Sequence, residues 1–107
     1  MYLDYMYEYD GRIYHEEEYG FFVYSQEEDI LCVWDIYTKP EFRSGKYCWL
    51  LFDKINEIAA SKGCIEIEGY VDKFYKEQER SKKVLEVAGF KLFNENDECY
   101  WYRVKVR

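Results

Sequence analysis

Between residues 30 and 71 the hydrophobic period changes twice, and that change leaves few folds open. Ile30 to Thr38 reads as a strand, which Pro40 ends because it has no amide hydrogen for a ladder; the loop Lys39 to Gly45 follows. From Lys46 to Lys62 the apolar residues Cys48, Leu51, Phe52, Ile55, Ile58 and Ala59 recur at steps of three and four, the spacing of one helical face. Gly63 is its stop signal. Ile65, Ile67, Gly69 and Val71 then alternate with Glu66, Glu68 and Tyr70, the period of a strand with one face in a core. Strand, helix and strand in succession predict a parallel pair joined by a right-handed crossover.

The flanks read as antiparallel hairpins. An opening run extends through Tyr9 to a turn at Asp10-Gly11, followed by a run from Tyr19 to Ser25 and an acidic turn over Gln26, Glu27, Glu28 and Asp29. Beyond the central unit, a second helix is predicted over Lys76 to Val87, stopped by Gly89. Phe90 to Phe93 and Cys99 to Val106 form a last hairpin across Asn94 to Asp97. The order is β-β-β-α-β-α-β-β. It predicts an α/β (α+β) fold: a mixed, mostly antiparallel sheet with a central parallel strand pair and two main helices. No linker or repeat interrupts residues 1–107, so one domain is expected, and 49% hydrophobic content suffices for its core.

Fifteen basic residues against 22 acidic ones give a formal charge of −7. That is the wrong sign for gripping nucleic acid by its phosphates, and it suits a cationic partner. No run has the apolar length of a membrane helix, and Met1 to Tyr5 has neither the basic nor the apolar region of a signal peptide. A soluble, cytoplasmic protein without membrane contact is expected. Cys32, Cys48, Cys64 and Cys99 form no C-x-x-C pair, which favours free thiols over a disulfide or metal framework. With His15 the only histidine, no structural metal is expected. Tyr2, Tyr5, Tyr7, Tyr9 and Tyr14 crowd the N-terminus, either as a half-buried sheet face or as a homodimer interface or partner patch.

Ile36-Tyr37-Thr38-Lys39-Pro40-Glu41-Phe42-Arg43-Ser44-Gly45-Lys46-Tyr47-Cys48 resembles the core motif of the GNAT superfamily, acetyl-coenzyme A-dependent N-acetyltransferases in which a strand ends in a Pro-Glu-Tyr-Arg loop that opens a long helix. A helix start presents unpaired amides and the positive end of a dipole, chemistry that can hold a pyrophosphate. The resemblance implies coenzyme contacts along Ile36, Tyr37 and Thr38 and around Arg43, Ser44, Gly45, Lys46, Tyr47 and Cys48. Against the superfamily's Arg/Gln-x-x-Gly-x-Gly/Ala loop, Arg43 matches. The two small positions fall on Lys46 and Cys48, and Gly45 lies one place early. Lys46 either adds a cation to the phosphates or crowds the loop. The alternative for the whole stretch is that Ser44 caps the helix and Arg43 is a solvated charge.

Gln78-Glu79-Arg80-Ser81-Lys82-Lys83-Val84-Leu85-Glu86-Val87-Ala88-Gly89-Phe90 resembles the Asn-x-x-Ser-x-x-Val-Leu-Glu-Lys-x-Gly-Phe signature of the GNAT branch that contains the ribosomal-protein N-terminal acetyltransferases. Where most of the superfamily has a tyrosine to protonate the leaving thiolate, this chain has Leu85. The resemblance implies Ser81 as the proton donor, through hydrogen bonding or water, and puts Gln78 at the pantetheine arm. The alternative for Ser81 is a helix residue bonded to neighbouring backbone. For the general base the resemblance points to a carboxylate near the end of the strand before the loop, here Asp35. Alternation with Leu31 and Val33 predicts a core-facing Asp35, its pKa raised by burial or its charge paired with an arginine. Glu66 and Glu68 read as ordinary solvated positions.

The function implied by the resemblance is acetyl-coenzyme A-dependent N-acetyl transfer, with pantetheine lying where Cys32 to Thr38 splays from Cys64 to Tyr70. The superfamily's two helices between the first strands have no counterpart in the sequence, which implies an open cleft suited to a protein or peptide amine. The altered loop and Leu85 favour a second reading, a catalytically degenerate GNAT-fold binding protein, similar in style to virus-encoded ones, that engages a partner through an acidic, Tyr-rich surface. The clusters Glu16-Glu17-Glu18 and Glu27-Glu28-Asp29 then either meet a basic partner, even as a nucleic-acid mimic, or are solvated turn charge. A third reading is a cysteine enzyme with Cys48 activated at the helix start. It lacks a base, since His15 falls in a remote acidic turn.

Overall fold

The computed structural model describes residues 11–43 and 45–107. Its strands are β1 (Ile13–Glu17), β2 (Gly20–Glu27), β3 (Ile30–Thr38), β4 (Glu66–Asp72), β5 (Lys91–Glu95) and β6 (Cys99–Lys105). A 3-10 turn at Pro40–Phe42 leads into helix α1 (Tyr47–Ser61), and helix α2 (Gln78–Val87) follows β4. The strands form one sheet in the order β1-β2-β3-β4-β6-β5. All neighbours are antiparallel except β3 and β4, the parallel pair that the change of period demands. Element order and fold class match the expectation.

The opening hairpin differs in place. The run through Tyr9 and the first residue of the Asp10-Gly11 turn lie outside the described residues. β1 occupies a segment that reads as acidic turn, and Glu18 and Tyr19 make the turn that sets Glu17 opposite Gly20. The Glu16-Glu17-Glu18 run hides the alternation. His15 faces the core side with its ring 4.8 Å from that of Phe22, and its Nε2 lies 2.6 Å from Glu17 Oε2. The β2–β3 turn is also tighter than the four-residue run suggests, with Glu27 paired to Ile30.

Both helices pack on one face of the sheet. Leu51, Ile55 and Ala59 of α1 join Phe22, Tyr24, Leu31, Ile67, Val71, Phe90 and Tyr102 in a single buried cluster. Leu51 and Ile55 are at most 1% exposed, and each such burial contributes about 1.5–3 kcal/mol. Leu85 of α2 sits over Gly69 of β4, and Lys82 Nζ, 4.0 Å from the Tyr100 ring centre, ties the same helix to β6. The two helices stop alike. Gly63 (φ 74) and Gly89 (φ 95) take the left-handed conformation, so the next amides, of Cys64 and Phe90, bond back to the carbonyls of Ala59 and Leu85. Both of those following residues are buried, which points the chain back into the core. Among the described residues no helix is long and apolar enough to cross a membrane.

Gly20 fixes how closely β2 approaches the end of β3. A Cβ there would lie 2.2 Å from the Tyr37 carbonyl oxygen and 3.1 Å from Leu51 Cδ1. Because the first of these is backbone, the strands would have to part. Gly20→Ala is expected to destabilise by about 1–3 kcal/mol, seen as a lower midpoint in chemical denaturation; an unchanged midpoint would contradict the close approach.

Candidate functional site

The parallel ladder between β3 and β4 pairs Ile30 with Glu66, Leu31 with Ile67 and Cys32 with Glu68, and then stops. Both strands run on, β3 to Thr38 and β4 to Asp72. A gap therefore opens between them toward their C-terminal ends, with Val33–Thr38 and Gly69–Asp72 as its sides. The resemblance implies a gap between Cys32–Thr38 and Cys64–Tyr70; the pairing places it nearer the strand ends, because Cys32 and Glu66 to Glu68 belong to the closed ladder and Cys64 precedes it.

One residue past this divergence β3 carries a bulge. Val23 of β2 faces Asp35 and Tyr24 faces Val33, so Trp34 is the extra residue. Its indole Nε1–H donates to Ser25 Oγ at 2.8 Å. The bulge corrects one expectation. Strict alternation would turn Asp35 inward with Leu31 and Val33; the inserted residue turns Asp35 to the outer face instead, and Tyr37 with it, whose ring meets Phe21 at 5.3 Å. Asp35 is accessible, not part of the core. Protein around its carboxyl displaces water and pushes its pKa up, while the charge of Arg12 draws it down.

On β4 the outward neighbour is Tyr70. Its ring lies 6.2 Å from that of Trp34 and 5.4 Å from that of Trp101. Burial raises the Tyr70 pKa, and Asp35 raises it further by its charge, so the phenol keeps its proton. The sequence pattern marks Tyr70 as a strand residue only. That it shares the outer face with Asp35 depends on the bulge, which no local signal announces.

The loop and helix start lie at the open end. Arg43 Nε–H donates to the Thr38 carbonyl at 2.8 Å and its guanidinium sits 5.1 Å from the Tyr37 ring centre. Arg43 thus fastens the loop to the end of β3, a role that motif matching does not supply. Ser44 lies outside the described residues. Gly45 has φ 127, and Lys46 is the N-cap, with no side-chain cap. The first helical bond in α1 runs from Leu50 N–H to the Lys46 carbonyl. The amides of Tyr47, Cys48 and Trp49 precede it and have no intrahelical acceptor. Ile36 and Tyr37 are exposed at the lip, and Thr38 is half-buried. Cys48 is half-buried, and burial pushes its thiol up against the opposing charge of Arg80. A thiolate nucleophile is therefore disfavoured at this helix start, and His15 lies in β1.

From the other side comes α2. Leu85 packs 3.9 Å from the position of a Cβ on Gly69. Ser81, one helical turn earlier on the same side, stands at the level where β4 has left β3. It is half-buried, and its hydroxyl makes no hydrogen bond to another described residue. Gln78 is committed elsewhere: its Nε2–H donates to the Lys73 carbonyl at 2.7 Å and closes the β4–α2 loop. Between the helices a hollow of about 150 Å³ is lined by Trp49, Arg80, Lys83, Val84 and Val87. Arg80, Lys83 and Trp49 were not singled out by any motif. A larger hollow of about 340 Å³ adjoins it beside Ile67, at the paired end of the ladder and away from the gap. Among the described residues no three His, Cys, Asp or Glu side chains gather to hold a metal ion.

No family model and no curated protein matches the sequence. Solved structures do. The PaiA N-acetyltransferase of Thermoplasma acidophilum, in complex with coenzyme A, is 21% identical with a TM-score of 0.72, covering 81% of this chain and 53% of its own. An acetyltransferase of Thermus thermophilus is 13% identical with a TM-score of 0.76, covering 94% of this chain and 69% of its own. An aminoglycoside 6'-N-acetyltransferase complexed with coenzyme A is 14% identical with a TM-score of 0.75, covering 94% and 76%. The chain has the fold of the GNAT acetyltransferases. It spans about half the length of the Thermoplasma enzyme.

Asp35 offers a test of the site that needs no substrate. A carboxyl whose folded pKa is raised above its ordinary 3.8 holds its proton more tightly folded than unfolded. Stability then falls as pH rises from the ordinary value through the raised one. Asp35→Asn removes that loss, so the variant is expected to gain melting temperature over wild type at neutral pH and to lose the gain at a pH of about 3. Equal gains at both pH values would show that Asp35 titrates normally.

Proposed function

We propose that the chain, acting as one domain, is an acetyl-coenzyme A-dependent N-acetyltransferase whose acceptor is an amine of a protein or peptide. The observation that carries this is the arrangement of Asp35 and Ser81, which stand at the open end of β3 and β4 on opposite faces of the sheet. Acyl transfer through a gap has that requirement: a base where the amine arrives and a proton source where the thiolate leaves.

Coenzyme A fits the inner side. Its pyrophosphate would take the amides of Tyr47, Cys48 and Trp49, with Lys46, Arg80 and Lys83 as neighbouring cations. Arg43 acts by holding the loop to Thr38, so Lys46 and Arg80 offset the lost glycine with charge. The pantetheine then reaches into the gap beside Ser81. On the outer face the acceptor amine gives a proton to Asp35 or its water and attacks the thioester carbonyl. The C–N bond forms, the C–S bond breaks, and the thiolate leaves toward the Ser81 hydroxyl. No helix among the described residues stands over the outer face, which suits a macromolecular acceptor.

A second reading, a GNAT-fold binding protein, is favoured by Leu85, which fills the tyrosine's position and packs against Gly69. Coenzyme binding separates the two. Acetyl-coenzyme A at 100 times its Kd is expected to stabilise the fold by about 2.7 kcal/mol, visible as a rise in melting temperature. Lys46→Glu should abolish most of that rise by placing an anion beside the pyrophosphate, and Arg43→Ala should reduce it. In an assay of thiol release with peptide amines, Ser81→Ala should lower kcat by roughly 10- to 100-fold with coenzyme affinity unchanged. Neither stabilisation nor thiol release at millimolar ligand would establish the binding-protein reading.

A further inference from the structure

Arg12, which no motif singles out, places its guanidinium carbon 4.2 Å from the centre of the Trp34 ring. The Trp34 and Tyr70 rings are neighbours across the divergence of β3 and β4, Asp35 follows Trp34 in β3 on the same outer face, and the Arg12 charge acts on Asp35 and Tyr70 alike. Trp34 is held by Ser25, the Tyr70 ring lies 6.2 Å from it at an interplanar angle of 61°, and Trp101 backs Tyr70 at 5.4 Å. Aromatic faces beside a carboxylate make a cation site, because the ring quadrupole and the anion attract the same charge. The chain's own guanidinium occupies it.

We propose that this is the site of the acceptor's ammonium group, and that Arg12 fills it until the acceptor displaces it. The proposal rests on the transferase reading and deepens it. The acceptor enters in its charged form and takes the place of the guanidinium over the Trp34 ring, next to Asp35 in the same strand. It passes one proton to the carboxylate, and the neutral amine attacks the thioester carbonyl; the C–N bond forms, the C–S bond breaks, and the second ammonium proton passes from the nitrogen to the leaving thiolate. Acceptors are thereby selected as cationic amines. The groups that face Asp35 are few among the described residues. Arg12 precedes β1, Tyr70 comes from β4 with Asp72 beyond it, and Cys99 of β6 lies behind Tyr70. β2 sets the uncharged Val23 opposite. Arg12 is the cation of this set, and the incoming ammonium replaces its charge.

Two measurements on the full chain test this, with wild type beside Arg12→Gln and Arg12→Ala. The first titrates tetramethylammonium, a cation that cannot be acetylated, and follows the Trp34 indole N–H resonance, assigned through Trp34→Phe. Both variants should respond at roughly tenfold lower concentration than wild type. The second follows kcat/KM for a peptide amine against pH. Losing Arg12 removes the charge that draws the Asp35 pKa down, so the acid limb should move to higher pH while KM falls. A merely structural Arg12 would instead lower activity at every pH without moving the limb. A Trp34 resonance that ignores the probe in both variants, with native circular dichroism, overturns the proposal. Absence of acetyl transfer with every acceptor overturns the transferase reading, and the probe titration still decides the cation site.

Discussion

The parallel ladder between β3 and β4 is three pairs long, from Ile30 to Cys32, and the candidate site exists because it ends there. Each strand stays paired on its other side along its whole length, β3 with β2 and β4 with β6. The gap is thus bounded by two antiparallel strand pairs that share only a short seam. A seam that continued would close the sheet and remove the gap. The bulge at Trp34 explains why it does not: an extra residue bends and twists β3 just past the last pair. The Trp34–Ser25 hydrogen bond holds the bend, since straightening β3 would withdraw the indole from its acceptor.

The helices keep the walls apart without filling the space between them. Ile55 and Ala59 of α1 and Phe90, which follows α2, share one core with Leu31 and Ile67 of the paired stretch, while Leu51, earlier in α1, packs beside Gly20 and the end of β3. Toward the gap itself they turn polar groups: three helix-start amides from α1 and Ser81 from the first turns of α2. This division follows from the chain direction. Both helices begin where the diverging strands end and run back toward the paired end, so their uncapped N-termini converge on the gap while their apolar turns lie over the core.

Period and punctuation carry most of this architecture in the sequence. Pro40, Gly63 and Gly89 act through backbone geometry that depends on their own residue type, and the face of α1 follows from three- and four-residue spacing. Two features are not legible. Glu16 and Glu17 look like part of a turn because the strand they belong to has its apolar contacts on β2, a partner the local sequence does not reveal. The outward turn of Asp35 depends on one inserted residue, and a period-two reading has no means of detecting an insertion. The same blindness hides Tyr70 and Arg12, which become neighbours of Asp35 only through pairings distant in the chain. Arg80 and Lys83 are likewise invisible as partners of the helix start, because α1 and α2 meet only after β4 has crossed between them.

Charge placement bears on how one acidic chain could serve the two oppositely charged substrates proposed for it. With 22 acidic and 15 basic residues, the distant field repels an anionic coenzyme and attracts a cationic amine. At physiological ionic strength that field is screened within about 8 Å, so local clusters decide what docks. Lys46 stands at the uncapped start of α1, Arg80 and Lys83 line the hollow beside Trp49 in its first turn, and the helix dipole adds to their charge. The sheet separates this cationic end from the outer face, where Asp35, Trp34 and Tyr70 favour the opposite charge. The proposed substrates therefore meet only through the gap, each drawn to its own side of the sheet. Gly45 and Lys46, which depart from the superfamily's loop, then exchange close backbone approach for a cation. That exchange is tenable in this chain because Arg80 stands across the cleft, near enough for its charge to act on Cys48 in the first turn of α1.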